Sequence, residues 1–150
     1  CSRSWVLRAF YHVGGGIEAH KSRLRFSMDS NVVSIQVDDP HCLIRVSLPR
    51  ELTDTSIINV FALLRAMLEF ANAYSLLFDG TDVQHTKLTG DGIFNLARST
   101  ADDLNRVAMV VSTPVAFGMA RMYEICSNWK EERVSVFSDK ESALAWLRAG

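Results

Sequence analysis

The sequence predicts an α/β fold: a single mixed, mostly parallel β-sheet of about five strands with four helices, in the order β-β-α-β-α-β-α-β-α. Three observations carry the prediction. Val107-Ala108-Met109-Val110-Val111 is a continuous apolar run, the pattern of a strand covered on both faces, as in a parallel sheet. Thr113-Pro114 follows closely and reads as a helix start, because the Thr hydroxyl accepts an early backbone N–H and Pro costs nothing at the first helical position. A second short strand, Arg133–Phe137, then leads through Ser138-Asp139-Lys140-Glu141, a capping-box pattern, into a last helix with Ala143, Leu144, Trp146 and Leu147 as its apolar stripe. Strand, helix, strand in this order implies a right-handed parallel crossover.

From the start of the chain, residues 1–27 contain Gly14-Gly15-Gly16 and show no sustained period, and Met28 directly precedes a strand pattern. The expectation is that 1–27 is a non-native or disordered extension and 28–150 a single domain. A targeting segment is the rival reading, since these residues are Arg-rich. Val33, Ile35 and Val37 alternate with polar residues, as do Ile44, Val46 and Leu48, with the turn cluster Asp38-Asp39-Pro40-His41 between them: a hairpin at the sheet edge.

Thr53-Asp54-Thr55-Ser56 offers several caps for a helix from about 56 to 72 whose apolar residues cover more than one stripe. Such a helix sits deep, meets a partner, or lines an apolar pocket, with Phe61, Leu64 and Leu68 as its candidate lining residues. Residues 73–78 form the next buried strand and 81–88 a polar loop. Thr89-Gly90-Asp91-Gly92 opens a helix carrying Ile93, Phe94, Leu96, Ala97, Ala101 and Leu104. In the helix after Pro114, Val115, Met119, Met122 and Cys126 define the expected apolar face, widened by Phe117 and Tyr123.

The net charge is −1, unevenly spread: residues 1–27 carry five basic residues against Glu18 alone, a net of +4, which leaves −5 on the remainder. A mildly acidic body without a basic, aromatic-interleaved stripe argues against nucleic-acid binding. Cys1, Cys42 and Cys126 lie far apart with no CxxC, favouring reduced thiols in a cytoplasmic setting, with Cys42 and Cys126 buried as small apolar residues. The longest apolar region, 57–78, is interrupted by Arg65 and Glu69 and is not expected to span a membrane.

The element order over 32–148 resembles the STAS domain of bacterial anti-sigma-factor antagonists, which shares a superfamily with the CRAL-TRIO lipid carriers. The segments 106–111 (RVAMVV), 116–120 (AFGMA) and 136–147 (VFSDKESALAWL) are similar to small bacterial STAS-like proteins. The resemblance implies a bacterial interaction domain acting on a protein partner or on a second copy of itself. Antagonists of this type carry an Asp-Ser-Ser-Gly-Leu-Gly-like motif in which a partner kinase phosphorylates a Ser. Here Thr89-Gly90-Asp91-Gly92 stands instead, so Thr89 is the candidate phosphoacceptor, with plain helix capping as the alternative.

No catalytic, metal or cofactor motif stands in the chain. Gly14-Gly15-Gly16 lacks the ending of a phosphate loop, and His12, His20 and His41 have no ligand spacing. Asp79, Thr81, Asp82, His85 and Asp91, with Ser112 and Thr113, fall at the carboxyl ends of predicted strands, where open α/β sheets place ligands or partners. Trp129 and Trp146 are read as covering the helix–sheet interface. The expected function is therefore a non-enzymatic interaction or regulatory domain. Its alternative is a carrier of an apolar ligand such as a fatty acid or phospholipid, with Phe61, Leu64, Leu68, Phe117 and Met122 as pocket or interface.

Overall fold

The alternating residues around 33–48 pair as expected, and the apolar runs after them stack beside that hairpin as parallel strands. The computed structural model describes residues 17–20, 23–28, 31–68, 74–100, 105–128 and 132–149; side chains are described from residue 33 onward, apart from those of 39, 65–68, 99 and 100. In chain order the elements are β1 (Ile17–His20), β2 (Arg23–Met28), β3 (Asn31–Asp38), a 3₁₀ turn (Asp39–His41), β4 (Leu43–Ser47), β5 (Glu51–Thr53) and α1 (Asp54–Leu68). Then come β6 (Ser75–Gly80), β7 (His85–Lys87), α2 (Gly90–Thr100), β8 (Val107–Val111), α3 (Pro114–Ser127), β9 (Val134–Phe137) and α4 (Lys140–Arg148).

The main sheet has seven strands in the order β1-β2-β3-β4-β6-β8-β9, and β5 and β7 form a separate two-stranded parallel pair. β1 to β4 are an antiparallel meander; β4, β6, β8 and β9 run parallel. The mixed sheet of about five strands with four helices is thus present as β3, β4, β6, β8 and β9, extended by β1 and β2. The expected disorder of 1–27 is corrected at 17–20 and 23–27, whose backbones pair into the sheet; β2 gains its place because β3 would otherwise offer an open row of N–H and C=O groups. Residues 1–16 lie outside the described residues.

Helices α1, α2 and α3 cover one face of the sheet, where Ile35, Ile44, Val46, Leu76 and Phe78 meet Val60, Phe61, Leu64, Ile93 and Tyr123. α4 covers the other face, with Ala143 and Leu147 on Leu43, Leu77, Ala108 and Val110. Trp146 joins that layer as expected: its ring tilts against Phe137 at 5.8 Å, and the Arg106 guanidinium lies 3.9 Å from its centroid. Trp129 lies outside the described residues.

The caps are mostly where the sequence puts them, with one shift of register. At α1, Thr53 and Ser56 bond reciprocally, each backbone N–H donating to the other's hydroxyl oxygen at 2.8 and 3.1 Å. Thr113 caps α3 by accepting from the Ala116 N–H, and Pro114 sits beside it. At α4 the cap is Asp139 rather than Ser138: its carboxylate accepts from the Ser142 N–H at 2.7 Å and from the Ser142 hydroxyl at 2.9 Å. An ionised oxygen at the positive end of a helix outcompetes a neutral hydroxyl one residue earlier. At the far end of α3, Asn128 accepts from the Arg133 and Val134 N–H groups and donates to the Val134 carbonyl, fastening the helix to β9.

α3 turns inward only part of the face expected: Tyr123 is buried and Met119 and Cys126 pack against the core. Ala116, Ala120, Tyr123 and Ser127 are buried, whereas Val115, Phe117 and Met122 are exposed. The inward positions recur at helical spacing but are mostly small, which lets the helix axis approach β8 and β9 closely. Cys42 is likewise exposed, not buried, and Cys126 is half-buried. Gly80 meets a tight approach: a side chain there would start 2.9 Å from the Val110 carbonyl oxygen.

Leu64 is fully buried and Phe117 is 41% exposed, so the two separate core from surface. Leu64→Ala is expected to cost about 2–5 kcal/mol in urea unfolding. Phe117→Ala is expected to cost less, about 1 kcal/mol, because two fifths of its surface is already solvated.

Candidate functional site

The carboxyl ends of β4, β6 and β8 converge with α1, α2, α3 and the β5–β7 pair around an apolar cavity of about 70 Å³, lined among others by Phe61, Phe78, Val83, Met109, Met119 and Ala120. Its walls follow from the sequence pattern: α1 turns Ile57 and Phe61 inward, and the buried face of α3 supplies alanines that leave space unfilled. Phe61 stacks on Phe78 at 5.2 Å and tilts against Tyr123 at 5.8 Å, closing one end. Of the residues expected to line an apolar pocket, Phe61 does so. Leu64 is in the core beside it, Phe117 and Met122 face outward, and the side chain of Leu68 lies outside the described residues.

The polar residues expected at these strand ends divide into two groups. Asp79, Thr81 and Ser112 are drawn together. One Asp79 oxygen accepts from the Thr81 N–H at 3.1 Å and the Thr81 hydroxyl at 2.7 Å; the other lies 2.7 Å from Lys140 Nζ. Ser112 donates to the Thr81 carbonyl at 3.0 Å. Burial pushes the Asp79 carboxyl up, but the bonds from Lys140 and Thr81 outweigh it and hold the pKa below the ordinary 3.8. This cluster ties the β6 end to the start of α4 and the end of β8, a partner that sequence spacing does not reveal.

Asp82, His85 and Asp91 stand apart as exposed residues, and His85 lies on β7 opposite Glu51. Among the described residues no group of three or more His, Cys, Asp or Glu side chains is placed to hold a metal ion. No described helix is long and apolar enough to cross a membrane.

Thr89 has a specific and unexpected neighbour. Its N–H and hydroxyl both donate to the Asp54 carboxylate, at 3.0 and 2.7 Å, while its hydroxyl oxygen accepts from the Gly92 N–H at 3.0 Å. Asp54, in the first turn of α1, thus also fills the N-terminus of α2, where a phosphate on Thr89 would have to sit. Gly92 makes room for it: a side chain at that position would begin 2.5 Å from Asp54 Oδ1.

A second feature is missed by periodicity alone. Val115 (60% exposed), Met122 and Ile125 (68% exposed) align with Gly118 along one outward stripe of α3, with Phe117 beside it. Met122 reaches α2, its sulfur 4.0 Å from where a Gly90 side chain would start, and Phe94, four residues on from Gly90, carries the apolar strip onto that helix.

No family model and no curated protein matches this chain. Among solved structures it is similar to an uncharacterised protein of the DUF3478 family with a SpoIIAA-like fold from Shewanella loihica PV-4, at 19% identity and a TM-score of 0.45, over 89% of this chain and 92% of that one. That protein brings no assigned activity with it.

Two outcomes test this site. Asp79 has a depressed pKa, so its contribution is present above 3.8 and lost as pH falls through the folded value. Asp79→Asn should therefore cost about 1 kcal/mol near neutrality, and its difference from wild type should vanish in unfolding curves taken at progressively acid pH. Gly92→Ala should destabilise by about 1 kcal/mol despite the better helix propensity of Ala. In an Asp54→Ala background the same change should become neutral or stabilising, a sign reversal that a double-mutant cycle measures directly.

Proposed function

We propose that this protein is a non-enzymatic interaction domain whose contact surface is the outer face of α3, continued onto α2 by Phe94. The observation that supports the reading is the outer face of α3: Ala116, Ala120 and Tyr123 turn to the core, and the large apolar Val115, Phe117, Met122 and Ile125 face out. A helix that needed only its own core would do the reverse, because each exposed aliphatic side chain forgoes about 1.5–3 kcal/mol of burial. Gly118, with open space above it, lets a partner's backbone come close at the middle of the stripe. Arg121 and Glu124, paired with each other, lie on the same helix and leave the stripe itself uncharged. The occupant proposed is an apolar helix or strand face of a protein, a second copy of this chain included.

Thr81, Asp82, His85 and Asp91 remain exposed near the strand ends and are proposed as the rim that a partner reaches beyond that stripe. Phosphorylation of Thr89 would then be a disrupting event: it would place a dianion against Asp54 and pull α1 and α2 apart at their shared N-terminal contact.

A second reading is favoured by the apolar cavity, which suits an uncharged apolar ligand. At about 70 Å³ it is far below the ~300 Å³ at which drug-sized ligands are enclosed, so an acyl chain enters only if α1 or α3 moves.

A photo-crosslinking benzoyl-phenylalanine in place of Met122 tests the first reading inside cells. A discrete crosslinked product is expected at 122, none at the exposed control position Glu141, and loss of the product with Ile125→Glu; absence of any product at 122 would sink it. For the cavity, Val83→Ile adds one methylene to the lining. It is expected to raise stability by up to about 0.8 kcal/mol and to leave the crosslink unchanged, whereas a carrier would lose its ligand in native mass spectrometry.

A further inference from the structure

At the end of the sheet away from the cavity, the amino ends of β4 and β6 lie beneath the last turn of α4 and enclose a hollow of about 90 Å³. Leu43, Leu144 and Leu147 make its apolar wall; Asp38, His41, Arg45, Ser75 and Arg148 make its polar one. The polar wall is electropositive on balance. Asp38 is held by His41, whose Nδ1 stands 3.0 Å from both carboxylate oxygens, and Arg45 lies close enough to lower the Asp38 pKa further. Arg148 has no ion-pair partner among the described residues, so the hollow is lined by two arginines against one carboxylate already engaged.

The turn that delivers these groups is also strained. Cys42, directly after the 3₁₀ turn, adopts φ 48°, the one positive φ at a non-glycine residue among the described residues. That conformation is costly for a side chain other than Gly, Asn or Asp, and such strain concentrates where a turn is held for a purpose. Here it lies between His41 and Leu43, which both line the hollow, and the Cys42 carbonyl is tied down by the Ser75 N–H at 2.9 Å.

We infer that this hollow binds a small amphipathic carboxylic acid, its carboxylate between Arg45 and Arg148 and its short aliphatic body against Leu43, Leu144 and Leu147. A guanidinium pair suits a planar carboxylate in bidentate fashion. Inorganic phosphate fits the charge but not the wall, because it would press its hydration shell against three leucines with nothing to replace it. The volume limits the body to a few carbons. The hollow lies at the opposite end of the sheet from the cavity, and α3 takes no part in lining it, so the two proposals stand separately.

The test is titration of the isotopically labelled protein with butyrate, acetate, inorganic phosphate and chloride at matched ionic strength, followed by amide chemical shifts. Butyrate is expected to give saturable shifts confined to residues 38–45, 75 and 144–148, and to bind roughly tenfold more tightly than acetate for its two extra methylenes. Arg45→Gln and Arg148→Gln, both at solvent-reachable positions that should leave the far-UV circular dichroism unchanged, should each weaken butyrate by about tenfold or more. Phosphate binding as tightly as butyrate, acetate equal to butyrate, or no saturable shift at these residues would each overturn the assignment.

Discussion

The central strands β4, β6 and β8 are apolar on both faces, and four helices must cover them. Among the described residues, three crowd onto one face and α4 alone serves the other. That unequal division shapes the rest of the molecule. On the crowded face α1, α2 and α3 all contribute to the lining of the apolar cavity at the carboxyl ends of the strands. On the other face one helix of nine residues covers the centre of the sheet, and where it ends the hollow between Arg45 and Arg148 opens. The stacking of Arg106 on Trp146 extends the reach of that single helix, with a cation–π contact standing in for aliphatic cover.

Crowding also explains α3. To lie beside α2 and still touch β8 and β9, it needs a thin inward face, and Ala116 and Ala120 provide it. Its larger apolar residues are then displaced outward. A hydrophobic stripe on the surface is an energetic liability for a monomer, and its presence at four helical positions of α3, joined by Phe94 of α2, is what supports the proposal of protein contact. The cavity is lined in part by the same small residues, Ala116 and Ala120.

Most polar groups near the strand ends are occupied by holding elements together. Asp54 serves two helix N-termini at once; Asp79 binds β6 to α4; Thr113 and Asp139 cap the helices they precede. Each of these contacts satisfies backbone or charge that would otherwise be stranded at an element boundary. Asp82 and His85 are left in solvent, His85 on β7 where that strand pairs with β5.

By itself the sequence determined the element order, the parallel core and most of the caps, because periodicity and capping are local signals spread over a few residues. Val107–Val111, Thr113-Pro114 and the alternation around Val33–Val46 translate directly into β8, α3 and the β3–β4 pair. Residues 17–28 were opaque to the same reading, since a short edge strand owes its order to a neighbour's open hydrogen bonds and carries little pattern of its own. The shift of the α4 cap from Ser138 to Asp139 is likewise too fine for spacing to resolve. Tertiary structure alone decided which face of α3 turns inward, because amphipathicity scores residue type while packing selects for size. It alone brought Asp54 to Thr89 and Lys140 to Asp79, pairs 35 and 61 positions apart that no local pattern joins. And it alone set Arg45 and Arg148 around one hollow, since only the fold makes neighbours of the start of β4 and the end of α4.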